Sequence, residues 1–210
     1  MTKRPEEVAL LAESGRLLAS VFAMLDRTPL AGLSTLAIDA MVERFITDDL
    51  QARPASKGQY GYGFVLNASV NHVVCHGVPS PAEVLRQGDI VNLDITLEKN
   101  GYIADSSKTY LVGTVDPAAR RLVQTTYDAM WLGIQAVRPG ARLGDIGWAI
   151  ERHAKRNGYS VVRNIAGTAS VGKCTKNRRS CISANPAPAW CCARTWSSRS
   201  SRCSTRGGAA

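Results

Sequence analysis

Acidic residues stop at Glu151: from there to Ala210 the chain contains neither Asp nor Glu. Histidine is nearly as scarce, with His72, His76 and His153 the three examples in 210 residues. Cysteine is unevenly placed. Of six, only Cys75 precedes Asn164, while Cys174, Cys181, Cys191, Cys192 and Cys203 follow it. Those five form no C-x-x-C pair and have no histidine among them, which argues against a structural zinc site. No apolar run approaches the length of a membrane span, and the first residues lead into an amphipathic helix rather than a signal peptide. The expectation is a cytoplasmic protein with no membrane association. At this length one domain with a real core is the simplest organisation.

The net charge of +9 is concentrated at one end. Residues 164–210 carry eight Lys or Arg and no acid, which leaves about +1 for residues 1–163. Helical spacing of Val8, Leu11, Leu18, Val21, Phe22 and Leu25 predicts a first helix over 6–25. Ser34 is placed to cap a second that runs to about Ala52 and ends at Arg53-Pro54. A glycine-rich aromatic loop follows, Gly58-Gln59-Tyr60-Gly61-Tyr62-Gly63-Phe64, then strand-like Val65-Leu66, Val70 to Cys75 and Ile90 to Leu97. Asp116 opens a helix through about Val137, with Leu122, Thr126, Ala129, Leu132, Ile134 and Val137 inward. Leu143 to Arg156 forms another, and Tyr159 begins a strand. This order of elements is an α+β pattern. Beyond Arg163 neither helical nor strand period survives, so residues 164–210 read as a disordered or aberrant basic tail.

The most informative stretch is Asp94 to Asp105. Asn100-Gly101 between two alternating runs signals a type I′ hairpin. Pairing outward sets Lys99 opposite Tyr102, Glu98 opposite Ile103, Leu97 opposite Ala104 and Thr96 opposite Asp105. Asp94 shares a face with Thr96 because side chains alternate. Both aspartates therefore point to one side as diagonal neighbours, about 7–8 Å apart at Cα. Val91, Leu93, Ile95 and Leu97 take the other face and require a core. The plain reading is a pair of acids on the wet face of a hairpin; the sharper one is a platform for one divalent ion or a close pair.

The segment upstream decides between them. His76 follows a strand, precedes Gly77 and lies 18 residues before Asp94. With Asn71, Cys75, His76 and Gly77, and with the hairpin segments Gly88 to Asp94 and Gly101 to Tyr110, residues 6–163 resemble the type I methionine aminopeptidases. His72 and Ala104 depart from that family's usual acidic residue and glycine. The resemblance implies a pita-bread (creatinase/aminopeptidase-like) fold whose N-terminal half is present and whose C-terminal half is disrupted. It implies Asp94 and Asp105 as metal ligands, and His76 as the catalytic histidine that contacts substrate near the scissile amide. Tyr62 would line the pocket for the methionine side chain. Two divalent ions (Co, Mn, Fe or Zn) would be the cofactors. The implied reaction removes the N-terminal methionine of nascent proteins when the next residue is small, by di-metal hydroxide attack on the first peptide bond. The implied partners are nascent polypeptide N-termini and the ribosome, with no specific DNA and a monomeric state.

The family also requires a histidine and two glutamates from its second half. After Asp105 only His153 and Glu151 are of those types, both inside one amphipathic helix. A shifted reading frame accounts for the loss. Codons that permit Asn164 to Arg178 also permit, two bases later, Tyr-Cys-Gly-His-Gly-Ile-Gly-Arg-Lys-Met-His-Glu-Glu-Pro, the family's histidine segment. The same offset across Ala189 to Cys203 permits Met-Val-Leu-Arg-Pro-x-Leu-Val-Phe-Thr-Ile-Glu-Pro-Met, its first glutamate segment. There Trp190 and Cys191 leave no alternative to Val and Leu. Residues 1–163 are thus an incomplete catalytic domain, and this copy is expected to be inactive.

Two other functions compete. A non-catalytic remnant could bind RNA or the ribosome through the phosphate contacts of its basic tail. A proline-specific peptidase of the same fold is the third, though the Asn71 to Gly77 motif fits the methionine enzymes better. The frame account predicts a single lost base near the Arg163 codon. Resequencing that finds an unbroken frame there, with related genes encoding the same basic tail, would refute it.

Overall fold

The computed structural model describes residues 3–162, together with the backbone of three short strand pieces at 166–167, 180–181 and 196–198. The described chain divides into two units, one ending at Ala119 and the other beginning at Arg120.

In the first unit Pro5 starts helix α1 (Pro5–Asp26) where its missing N–H costs nothing, and the Arg4 N–H donates to Glu7 Oε2 at 2.9 Å. Ser14, Leu18, Val21 and Leu25 recur at helical spacing and are buried. Helix α2 (Thr35–Arg44) is capped by Ser34, whose Oγ accepts from the Ala37 N–H at 3.1 Å. The expected helix to about Ala52 stops a little short: Phe45–Asp49 continues α2 as one wide π turn, and Gln51 then takes a left-handed φ of 48°. Thr35 and Asp39 of α2 are buried with Ile38 and Val42.

Four strands follow, β1 (Arg53–Pro54), β2 (Leu66–Val70), β3 (Ile90–Lys99) and β4 (Tyr102–Leu111), in one antiparallel sheet. β3 is the spine. β4 lies along one side of it, while β2 and β1 share the other, β2 against Val91–Ile95 and β1 against Leu97–Glu98. The β3–β4 register is the expected one, with Lys99 opposite Tyr102 and Thr96 opposite Asp105. Asn100 (φ 54°) and Gly101 (φ 82°) supply the two positive φ angles of a type I′ turn.

Val91, Leu93, Ile95 and Leu97 are fully buried on the face covered by α1 and α2, in a core shared with Leu18, Val21, Leu25, Ile38 and Val42. Each such side chain contributes roughly 1.5–3 kcal/mol through removal from water. The Ser14 hydroxyl donates to the Tyr102 carbonyl at 2.9 Å, and Lys108 Nζ pairs with Asp26 at 2.5 Å. These contacts fix α1 across the hairpin. Contrary to the expectation drawn from apolar runs, α1 is long and apolar enough by length and composition to cross a membrane. Its leucines and valines account for that hydropathy, and part of them serve the sheet.

The expected strand over Val70 to Cys75 also fails. Asn71 adopts a left-handed φ of 50°, its side chain accepts from the Ile90 N–H at 3.0 Å, and its amide donates to Asp89 at 2.8 Å. That turn sends the chain away from β2 at Val70.

The second unit holds all but the first three residues of α3 (Pro117–Gln135), with α4 (Leu143–Arg156) and β5 (Tyr159–Val161). Asp116 accepts from the Ala118 N–H at 2.7 Å at the start of α3. The inward face of α3 is corrected: Thr125, Ala129 and Gly133 are buried, whereas Leu132, Ile134 and Val137 are exposed. Gly133 explains the choice, because a Cβ there would stand 2.9 Å from Ile150 Cδ1, so the helices meet at the smallest side chain. β5 pairs with β8 (Trp196–Ser198), and β6 (Ala166–Gly167) with β7 (Ser180–Cys181). The rest of 164–210, on which the expectation of a disordered tail falls, lies outside the described residues.

Candidate metal and substrate site

Alternation along β3 puts Asn92, Asp94 and Thr96 on the face opposite the core, and the register adds Asp105, Ser107 and Thr109 from β4. β2 contributes Asn67, opposite Asp94, and Ser69, opposite Asn92. The result is a polar surface of carboxylates, amides and hydroxyls on a rigid sheet. Asp94 is 7% exposed and accepts from Asn67 Nδ2 at 3.3 Å; Asp105 is exposed. Thr96 shares a hydrogen bond with the Ser56 hydroxyl, and Asn92 Nδ2 donates to Thr109 Oγ1 at 3.1 Å.

His76 is reached by a different device. Gly77 presses its backbone against β2: its carbonyl accepts from the Ala68 N–H at 2.8 Å and its N–H donates to Ser69 Oγ at 3.2 Å. A Cβ at Gly77 would lie 2.0 Å from the Ala68 carbonyl oxygen. Only glycine permits this approach, and it leaves His76 exposed with a left-handed φ of 55°.

Tyr62 stands at the entry to β2. Its hydroxyl donates to the Leu66 carbonyl at 2.7 Å, and its ring meets Phe64 edge-on with centroids 5.6 Å apart. Burial, then the negative charges of Asp39 and Asp94, push the Tyr62 hydroxyl up to about 12.

The donor chemistry suits a hard divalent cation in part. Two carboxylates share one face with amide and hydroxyl oxygens. Among the described residues, however, no three or more His, Cys, Asp or Glu side chains converge on one point. The described part of the chain thus brings two carboxylates to this face and no third such side chain beside them. His153 and Glu151 sit in α4 of the other unit, His153 beside Asn157 at 3.3 Å and Glu151 paired with Lys155 at 2.7 Å. The RNA-binding alternative rests on 164–210 and lies outside the described residues.

The sequence placed Thr96 on this face through the hairpin register but did not point to Asn67 or Asp39. Asn67 follows from register once β2 is paired with β3; Asp39 carries no signal that separates it from a solvent-facing helix acid.

Solved structures give this architecture its class. A crystal structure of methionine aminopeptidase from Rickettsia prowazekii superimposes with a TM-score of 0.77 at 34% identity, over 87% of this chain and 77% of that one. One from Thermotoga maritima does so with a TM-score of 0.81 at 27% identity, over 90% and 74%. A prolidase from Thermococcus sibiricus, at 18% identity and a TM-score of 0.73, shares the fold alone. The fold is the pita-bread fold of the metallopeptidases. The family model for metallopeptidase family M24 matches residues 9–185, and the chain belongs to that family. The match extends past the 163 at which the resemblance read from the residues ends. Methionine aminopeptidase B of Synechocystis sp. is 40% identical over 166 residues, 77% of this chain and 60% of that protein. The Escherichia coli K12 methionine aminopeptidase is 37% identical over 165 residues, 79% and 62%. The chain thus spans about three fifths of the length of these curated relatives.

Gly77→Ala tests the placement of His76. The added methyl is expected to cost about 1–3 kcal/mol of unfolding free energy, because backbone rather than a flexible side chain must move. Urea denaturation measures it, and a loss below a few tenths would contradict the close approach.

Proposed function

We propose that this chain carries the amino-terminal part of a methionine aminopeptidase. The observation that supports it is the pair Asp94 and Asp105 on one face of an Asn100-Gly101 hairpin, in a family M24 chain whose matched relatives are methionine aminopeptidases. The substrate is then a nascent polypeptide whose first methionine precedes a small residue, met in the cytoplasm and at the ribosome by a monomeric protein. The much lower identity to the prolidase argues against a proline-specific substrate.

In this reading Asp94 and Asp105 hold the divalent ions, two in number. Such ions, when bound, polarise the peptide carbonyl and acidify water. Asn67 orients the Asp94 carboxylate through its amide hydrogen bond. His76, presented by Gly77, contacts the substrate beside the scissile amide. The ring of Tyr62, backed by Phe64, packs against the methionine side chain.

We further propose that the 210-residue chain does not turn over. Two carboxylates alone would not hold the ions that acidify water, and the histidine and glutamate segments that would complete the ligand set lie in another frame after Arg163. The 210-residue protein is expected to give no detectable release of methionine from a Met-Ala-Ser peptide with added Co²⁺ or Mn²⁺. Insertion of one base near the Arg163 codon should restore turnover. Activity of the 210-residue chain comparable to an intact enzyme would contradict the proposal.

A further inference from the structure

Among the described residues no strand pairs with the outer edge of β2; a loop carbonyl and two side chains meet it instead. In an antiparallel ladder the N–H and C=O of one residue point to the same side, so Leu66 and Ala68 present unpaired groups away from β3. The Ala68 N–H is taken by Gly77, as described. Leu66 is gripped at both ends: Tyr62 donates to its carbonyl, and Asp39 Oδ1 accepts from its N–H at 3.1 Å. The same Asp39 oxygen accepts from the Val65 N–H at 2.9 Å.

Asp39 is a costly residue for this place. It lies on α2 at 4% exposure, among Ile38, Val42 and Val65. A buried carboxylate is tolerated where backbone N–H donors satisfy it. Burial raises the pKa of Asp39, and the two backbone hydrogen bonds oppose that rise. An asparagine would offer the same acceptor oxygen without the charge.

The two donors lie directly after the aromatic pair. Val65 follows Phe64, and Leu66 is the residue to which the Tyr62 hydroxyl is bonded. One residue further along β2, Asn67 donates to Asp94. A displacement of Val65–Leu66 would thus move the aromatic pair and the Asp94 contact together.

We propose that Asp39 is the positioning residue of the candidate substrate pocket: its buried carboxylate locks Val65 and Leu66 at the head of β2 and so sets the Tyr62–Phe64 ring pair beside the polar face. Its functional meaning rests on the reading of Tyr62 as the wall that meets a methionine side chain.

The test uses the full 210-residue chain with isotope-labelled Tyr and Phe, in wild type, Asp39→Asn and Asp39→Ala. It reads the Tyr62–Phe64 ring cross-peak and the shift of the Tyr62 ring on addition of L-methionine. Asp39→Asn is expected to keep the cross-peak, because its oxygen still accepts both N–H groups. Asp39→Ala should lose it and bind L-methionine at least tenfold more weakly, while the cross-peaks of Tyr110 on the opposite face stay in place. If Asp39→Ala does not fold, Asp39→Ser carries the same expectation, since its short hydroxyl cannot reach both donors. An alanine or serine variant that retains the ring cross-peak, however much stability it loses, overturns the positioning role. A wild type that ignores L-methionine while the cross-peak responds as expected supports the positioning role and overturns the substrate reading instead.

Discussion

The type I′ turn at Asn100-Gly101 is the constraint on which the rest depends. Two positive φ angles at adjacent residues fix the register of β3 on β4, and register decides which side chains face the core. A slip of one residue would put Leu93, Ile95 and Leu97 into water and bring Asp94 and Thr96 against α1 and α2. The apolar cost of such a slip, summed over the fully buried side chains of β3, is several kcal/mol. The same alternation that builds the hydrophobic core therefore also places both aspartates together on the opposite side. Core and candidate site are two consequences of one pairing.

The second layer of control lies at β2. This strand presents an outer edge that a larger sheet would cover. Here Gly77 takes the outward Ala68 N–H, and Tyr62 and Asp39 take the two outward groups of Leu66. Each closure also presents a side chain or a ring: His76 through Gly77, and the aromatic pair through Tyr62. Edge protection and site construction are achieved by the same hydrogen bonds.

What could be read in advance follows from how local each signal is. The hairpin register was readable because Asn-Gly imposes backbone geometry without help from elsewhere. The motif from Asn71 to Gly77 was readable as a motif, but its mechanics were not. Asn71 turned out to be a turn-former bonded to Asp89 and Ile90, which also ended the strand expected to continue to Cys75. The inward face of α3 was misassigned because Leu132, Ile134 and Val137 outweigh a glycine on any hydropathy pattern, while close helix contact at Gly133 follows from shape. Asp39 was invisible for a related reason. An acid in an amphipathic helix reads as solvent-facing, and only the fold brings Val65 and Leu66 to it.

The family relation, the fold and the two same-face carboxylates agree with one another, and among the described residues no third His, Cys, Asp or Glu converges with that pair. We propose that Asp94 and Asp105 form a partial cation platform on this face. Its most direct test is titration of the ¹⁵N-labelled 210-residue protein with Mn²⁺, read as paramagnetic broadening of backbone amides. The account predicts that broadening is strongest at Asp94, Thr96 and Asp105, and that it is lost there in the Asp94→Asn, Asp105→Asn double variant. Broadening centred on other acids, or unchanged in the double variant, would contradict it.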